Sequence, residues 1–272
     1  MNVSTSLSDS VISSVIDARW QAFPGAHGGH VAAVALGAVR DGFASGAQPV
    51  RSMTTHFLSP ADVGPLHVSA SAPSVGRSAA TCVFAGRQGT ADGSPVLVGS
   101  VVLGPARPGP AYDGERAPAV PWPGDCQPIT LPADIASFSR QLEIRAAGQE
   151  RLPTGGERAE FLFWVRFTDG RPLDAGAVVT LTDVLPPGLY ACGHASRPMP
   201  TAELTVHFTD VLDDRAPEGW ALVRNRTAQA GGGWAVDDSA VWSADGRLLG
   251  LGRQARVVLN QAQVSKRVGH ES

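Results

Sequence analysis

Pro200-Thr201-Ala202-Glu203-Leu204-Thr205-Val206-His207-Phe208 reads as a strand, and a weaker copy of it stands earlier as Val50-Arg51-Ser52-Met53-Thr54-Thr55-His56-Phe57. Both copies carry hydrophobic-Thr-x-His-Phe, with Met53 and Leu204 lying 151 positions apart. The residues downstream of each copy also match: a polar loop, alternating strand-like residues, an Ala-Asp-Gly turn and a last apolar strand. The turns, Ala91-Asp92-Gly93 and Ala244-Asp245-Gly246, are 153 positions apart, so the halves stay in register within a two-residue indel. Self-similarity at a fixed spacing comes before any reading of fold, because it sets the unit that must fold. Here the unit occurs twice.

The composition narrows what this duplicated unit does. With 43% hydrophobic and 17% charged residues, the 272-residue chain can bury a substantial core and is not disordered. A net charge of −3 offers no basic footprint for nucleic acid. The longest apolar run, Val31 to Val39, is about half the ~20 residues that span a bilayer. Met1-Asn2-Val3-Ser4 shows no basic region or apolar core of a secretory signal. Cys82, Cys126 and Cys192 are odd in number and form no CxxC pair, as expected of reduced thiols in a cytoplasmic protein.

Along the chain, Val11 to Phe23 reads as an edge element leading into His27-Gly28-Gly29-His30. Val31 to Val39 is apolar on nearly every face and closes at Gly42, which predicts a thin buried helix. Strands are expected at about 50–58, 65–73, 78–87 and 95–103, with Asp92-Gly93 at the last hairpin. Eight prolines between Pro105 and Pro132 then predict an ordered or semi-rigid linker. Phe138 to Arg145 alternates as a half-buried strand does, and Phe161 to Phe167 reads as a second one. Leu173 to Leu185 is helical in pattern and broken by Pro186-Pro187. Strands at about 201–209, 219–229, 234–243 and 248–259 complete the second half. The expected organisation is therefore an N-terminal unit (1–104), a Pro-rich linker (105–132), a C-terminal unit (133–260) and a tail (261–272). The class is α+β: each unit is a curved antiparallel sheet wrapped around one central helix, and two such hotdog units in tandem can continue one sheet and cover each other's edges.

Residues that build the fold should agree between the copies, and residues that carry function should not. On these spacings Thr201 faces Val50, Asp183 faces Ala32 and Gln254 faces Val101. Three polar residues replacing three apolar ones point to a single polar cluster inside the second unit. A buried carboxylate needs donors nearby, and Thr201 and Gln254 can supply them. Each of the three also has a plainer reading. Asp183 lies three residues before Pro186 and can cap a turn, Thr201 is a common strand residue, and Gln254 can face solvent.

The chain resembles the type II acyl-CoA thioesterases, double-hotdog hydrolases, over about residues 11–260. Three features carry the resemblance: His27-Gly28-Gly29-His30, the Asp183 helix, and the closing Arg253-Gln254 strand after Pro-Thr-x-Glu-Leu-Thr-Val-His-Phe. It implies that Asp183, Thr201 and Gln254 hold and activate a water, with no metal and no organic cofactor. It also implies a homodimer or higher homo-oligomer. The family's Asp-His after these positions is missing, since Val184 follows Asp183 and Glu203-Leu204 stands in the second place. The expected chemistry is hydrolysis of a thioester by positioned water, with Asp183 as base, made more basic by apolar surroundings. Gly28 and Gly29 would bring a helix N-terminus close to the developing oxyanion, and Arg253 and Arg256 would meet the phosphates of CoA unless they form a solvated face. The acyl chain would lie beside the helices, among small residues such as those of Val31 to Val39.

Other readings weigh less. A hotdog enoyl-CoA hydratase would pair its Asp with a His on the same segment, and none follows Asp183. A non-catalytic acyl-CoA-binding protein would not need the polar set. His27 and His30 lack a third metal ligand of suitable spacing, and His56 and His207 recur in both copies, which suits a role in the fold. Gly250-Leu251-Gly252-Arg253-Gln254-Ala255 opens no helix, so it is no dinucleotide fingerprint. Gly-x-Ser-x-Gly is absent, which removes the nucleophile-elbow hydrolases.

Overall fold

The computed structural model describes residues 10–42, 48–76, 78–132, 134–147, 155–194 and 197–259. The polar residues before Ser10 and the 261–272 tail lie outside them. In chain order the elements are β1 (Ser10–Ile16), α1 (Gly28–Gly42), β2 (Val50–Phe57), β3 (Gly64–Val75), β4 (Ala80–Arg87) and β5 (Pro95–Leu103). The second half has β6 (Leu142–Ala146), β7 (Glu160–Phe167), α2 (Ala175–Thr182), β8 (Thr201–Phe208), β9 (Ala221–Gly231), β10 (Trp234–Ser243) and β11 (Leu248–Val257).

All eleven strands form one antiparallel sheet in the order β1-β3-β4-β5-β2-β8-β11-β10-β9-β7-β6. The two repeated strands are the join between the halves. β2 pairs with β8, and Thr54 sits opposite Thr205, its own counterpart in the repeat. Their hydroxyls are hydrogen-bonded at 2.9 Å. An antiparallel pair centred on two equivalent residues, with the others exchanged about that centre (Met53 opposite Val206, Thr55 opposite Leu204), is what a pseudo-twofold axis between the halves requires. The duplication thus turns two strands that would each be an open edge into the centre of the sheet.

Both helices lie on one face of this sheet and pack against each other. Val31, Ala32, Ala35, Leu36, Ala38 and Val39 of α1 are buried, as the all-apolar pattern predicted. Three expectations need correcting. The second helix is shorter than the Leu173–Leu185 pattern: Asp174 caps its start by accepting the Ala177 N–H at 2.9 Å, and it ends at Thr182. The two helix starts, Gly28 and Ala175, are 147 positions apart. The 151-residue spacing therefore holds for the strands but not the helices, and Asp183 caps α2 instead of lying within it. Finally, Ser137–Gln141 is a 3-10 turn and the strand starts only at Leu142. Tertiary contact outweighs alternation there, because the Phe138 N–H bonds the Gln21 carbonyl and its ring stacks on Trp20 and lies tilted against His27.

The Pro-rich stretch has no regular structure except a 3-10 turn at Pro123–Asp125 and a single antiparallel bridge from Pro128 to Arg145 of β6. It is tied to the outer face of the second half: the indole of Trp164 donates to Pro121 O and that of Trp242 to Glu115 O, both at 2.9 Å. These bonds satisfy the polar edges of two buried rings while the chain covers their apolar faces. No helix among the described residues is long and apolar enough to cross a membrane.

Candidate active site

Where α2 ends, the N-terminus of α1 arrives from the other half. The Asp183 backbone closes α2, and its side chain turns into the gap between that end and strands β8 and β11. Both readings of this residue are thus realised at once, a turn cap by its backbone and a cluster member by its carboxylate. Oδ1 accepts from Gln254 Nε2 at 2.6 Å, Arg256 Nη2 at 3.3 Å and Thr201 Oγ1 at 3.5 Å. Oδ2 accepts from the Gly29 N–H at 2.9 Å. Thr201, at the start of β8, faces Arg256 on β11, and Gln254 lies two residues earlier on the same face. Gln254 is fully buried, whereas the Asp183 side chain keeps about a tenth of its surface exposed.

The Gly28-Gly29 pair makes this approach possible. A Cβ on Gly29 would stand 2.8 Å from the Asp183 Cβ and 3.0 Å from the carbonyls of Thr180 and Val179. One on Gly28 would stand 3.0 Å from Asp183 Oδ2. Only bare backbone lets the positive end of α1 reach the carboxylate. The Gly29 N–H therefore serves Asp183 itself.

His27 accepts the His30 N–H at Nδ1, so its proton is on Nε2, which faces the Asp183 carbonyl oxygen at 3.1 Å. Burial pushes its pKa down, with the Asp183 carboxylate opposing, so the ring is neutral in this setting. His30 stacks flat on Trp20, with ring centroids 4.5 Å apart. Burial, with His27 and Arg171 adding to it, takes its pKa down to about 3. The folded protein thus binds this proton far more weakly than the unfolded chain. The stability contributed by neutral His30 is complete above the unfolded value near 6.5 and is lost as pH falls toward 3. Melting temperature should drop across that window, and His30→Phe, which keeps the stack, should flatten the slope. An unchanged slope would remove His30 as a cause. No group of three His, Cys, Asp or Glu residues suited to a metal occurs among the described residues.

Two members of this polar cluster escaped the sequence reading. Arg256, assigned to CoA phosphates or a solvated face, is in fact only 5% exposed. Its Nε bonds Asp237 Oδ2 at 2.8 Å, its Nη1 bonds Thr201 Oγ1 at 2.9 Å and Met199 O at 3.4 Å, and its Nη2 meets Gln254 Oε1 as well as Asp183. Asp237 on β10 lies opposite Gln254 and is held by Thr227 Oγ1 at 2.6 Å, Gly188 N at 3.4 Å and Asn225 Nδ2 at 3.5 Å. The comparison of halves contained both signals. Val101 pairs with Met53 and Cys82, as Gln254 pairs with Leu204 and Asp237, so Cys82 is the counterpart of Asp237. In the same way Leu103, opposite Val50, is the counterpart of Arg256 opposite Thr201. The first half has Val50, Cys82, Val101 and Leu103 where the second has Thr201, Asp237, Gln254 and Arg256.

The surroundings of Asp183 are therefore hydrogen-bond donors and a guanidinium, not the apolar setting expected. Strand alternation turns Arg253 to the opposite face, where its Nε bonds Asp238 at 2.7 Å, outside the cluster. A hollow of ≈ 670 Å³ is lined by charged side chains such as Asp210, Asp214, Arg215 and Glu218 and contains none of these residues. A smaller groove of ≈ 290 Å³ runs between the helices past His30, Ala33, Val34, Gly37, Ala177 and Thr180.

Comparison with known proteins agrees with this geometry. Residues 16–104 match the model of the acyl-CoA thioesterase N-terminal domain, and residues 115–258 match that of the acyl-CoA thioesterase C-terminal domain. Among solved structures, a hotdog-fold protein of unknown function from Alicyclobacillus acidocaldarius is 24% identical, with a TM-score of 0.82 over 92% of this chain and 93% of its own. A candidate thioesterase from Novosphingobium aromaticivorans is 27% identical, with a TM-score of 0.78 over 93% and 96%. An acyl-CoA thioesterase II from Mycobacterium marinum is 20% identical, with a TM-score of 0.72 over 92% and 93%. No curated protein matches the sequence. With both halves matched and the double-hotdog sheet in place, the chain belongs to the acyl-CoA thioesterase family, and it is a thioester-hydrolysing enzyme.

Proposed function

We propose that the protein cleaves acyl-CoA to free acid and CoA through a water activated by Asp183, at one site per chain. The observation that carries this is the convergence of Gln254, Thr201 and the Gly29 N–H on one carboxylate, opposite a first half whose equivalent positions are apolar. Oδ1 is surrounded by three donors, whereas Oδ2 has a single backbone bond, so Oδ2 keeps acceptor capacity for a water proton. Thr201 accepts from Arg256 and so retains its own hydrogen for Asp183 or for the water. Gln254 uses one amide hydrogen on Asp183 and keeps a second.

A thioester carbonyl needs a positioned nucleophile, a proton acceptor and stabilisation of the oxyanion. The water oxygen bonds to the carbonyl carbon as its proton passes to Asp183. The C–S bond then breaks, and the leaving thiolate recovers that proton as CoA thiol. In the first turn of α1, Gly29, His30 and Val31 already donate to Asp183 and His27, which leaves the Gly28 N–H for the oxyanion. The groove between α1 and α2, floored by Ala33, Val34, Gly37 and Ala177, is the place for the acyl chain. Arg253, exposed on the far face, is available to CoA only through a path around β11.

Thiol release from acyl-CoAs of increasing length, with 2-enoyl-CoAs included, tests this reading. Release of CoA is expected, and the length dependence reports the groove. Loss of 2-enoyl absorbance without thiol release would make the protein a hydratase instead.

A further inference from the structure

We propose that Arg256 is a positioning residue for thioester hydrolysis, orienting Thr201, Gln254 and Asp183 through one buried guanidinium that Asp237 anchors. This rests on the reading of Asp183 as the base. A guanidinium has five N–H donors in a fixed plane and no acceptor. All five of Arg256 have acceptors inside the protein: Asp237 Oδ2, Thr201 Oγ1, Met199 O, Gln254 Oε1 and Asp183 Oδ1. None is left over for substrate, so the group acts through its neighbours.

Donor direction determines its effect on each neighbour. An amide side chain facing Asp183 could present either end. Because Arg256 can only donate, the end of Gln254 beside it must be Oε1, which turns Nε2 toward Asp183 Oδ1 at 2.6 Å. The Thr201 hydroxyl likewise accepts from Nη1 at 2.9 Å, so its single hydrogen is directed away from the guanidinium. One planar group thereby selects one orientation from several for two site residues, and contacts the third directly.

Charge sets the second condition. A buried cation beside a lone base would neutralise the site's only negative charge. Asp237, 1% exposed, is paired to the opposite side of the guanidinium through Nε. With two carboxylates to one guanidinium, and His27 neutral, the cluster keeps one negative charge for Asp183. In the first half, the counterparts Cys82 and Leu103 carry neither charge, and the counterparts of Thr201 and Gln254 have nothing to orient. The charged pair occurs only beside the polar cluster it serves.

The test compares wild type with Arg256→Ala and Arg256→Lys in the same thiol-release assay, alongside circular dichroism. In Arg256→Ala, kcat should fall on the order of 10²-fold with KM nearly unchanged, as for a misplaced reacting group. Arg256→Lys should recover little, since an ammonium keeps the charge but cannot span the acceptors of a planar fork. Added guanidinium ion should raise the kcat of Arg256→Ala, and methylammonium should not. Should Arg256→Ala fail to fold, Arg256→Leu combined with Asp237→Cys restores the apolar pairing of the first half, and the same loss of kcat is expected. Full activity in the lysine variant, or a loss confined to KM, would overturn the positioning role. Wild type that releases no thiol would instead overturn the thioesterase reading itself, which keeps the two failures distinct.

Discussion

Asp183→Asn should lower kcat for thiol release by a factor on the order of 10²–10⁴, the usual contribution of a positioned base, while the protein stays folded. The substitution keeps the shape of the side chain and removes its ability to take a proton. Three donors, from Gln254, Arg256 and Thr201, converge on Oδ1, so the asparagine oxygen will occupy that side. Its amide then faces the Gly29 N–H, which now bonds Oδ2 at 2.9 Å. Two donors facing each other in a nearly dry site cost about 1–3 kcal/mol. A modest fall in melting temperature should therefore accompany a much larger fall in rate. The two are separable by measuring kcat well below the transition. An asparagine variant within tenfold of wild type would end the case for Asp183 as base.

The second large effect is on stability. Asp237→Ala removes the anchor of a buried guanidinium and strips a partner from the Thr227 hydroxyl. Breaking one side of a buried ion pair costs roughly 3–5 kcal/mol, because the surviving charge stays desolvated. Replacing both partners is a different matter, since well-packed apolar residues in place of a buried pair are often neutral or stabilising. The protein itself contains the replacement, as Cys82 and Leu103 fill the equivalent positions of the first half. Urea unfolding should show a marked loss for Asp237→Ala and recovery in Asp237→Cys with Arg256→Leu. An alanine variant as stable as wild type would mean that Asp183 alone compensates Arg256. Together the two predictions describe a pair that the proposed role retains at the expense of a simpler core.

How far the sequence leads depends on which periodicity an element obeys. Repeat spacing and alternation place the strands well: the expected 95–103 and 234–243 are β5 and β10 as observed. Comparing halves also singles out Thr201 and Gln254, because a polar residue where its counterpart is apolar is visible in sequence alone; Asp183 is singled out only on a strand spacing that the helices do not keep. The same comparison contains Asp237 against Cys82 and Arg256 against Leu103. Those two do not stand out, because arginine and aspartate on alternating strands are ordinarily solvent-facing, and period two does not say which face is buried.

The sequence by itself determined the duplicated double-hotdog architecture, the repeated pair of strands around Thr54 and Thr205, and three polar residues of the second half. These follow from local hydrophobic pattern and from internal symmetry, both of which are written in residue order. Only the tertiary structure decided that those two strands meet at the join, that α2 stops at Thr182, and that the N-terminus of α1 reaches Asp183 through Gly29. It alone also made Arg256 an inward-facing link and not a surface cation. Those outcomes depend on how closely two helices from different halves approach, and on which carboxylates end up around one guanidinium. Such contacts join residues 154, 73 and 19 positions apart, where no local pattern carries the information.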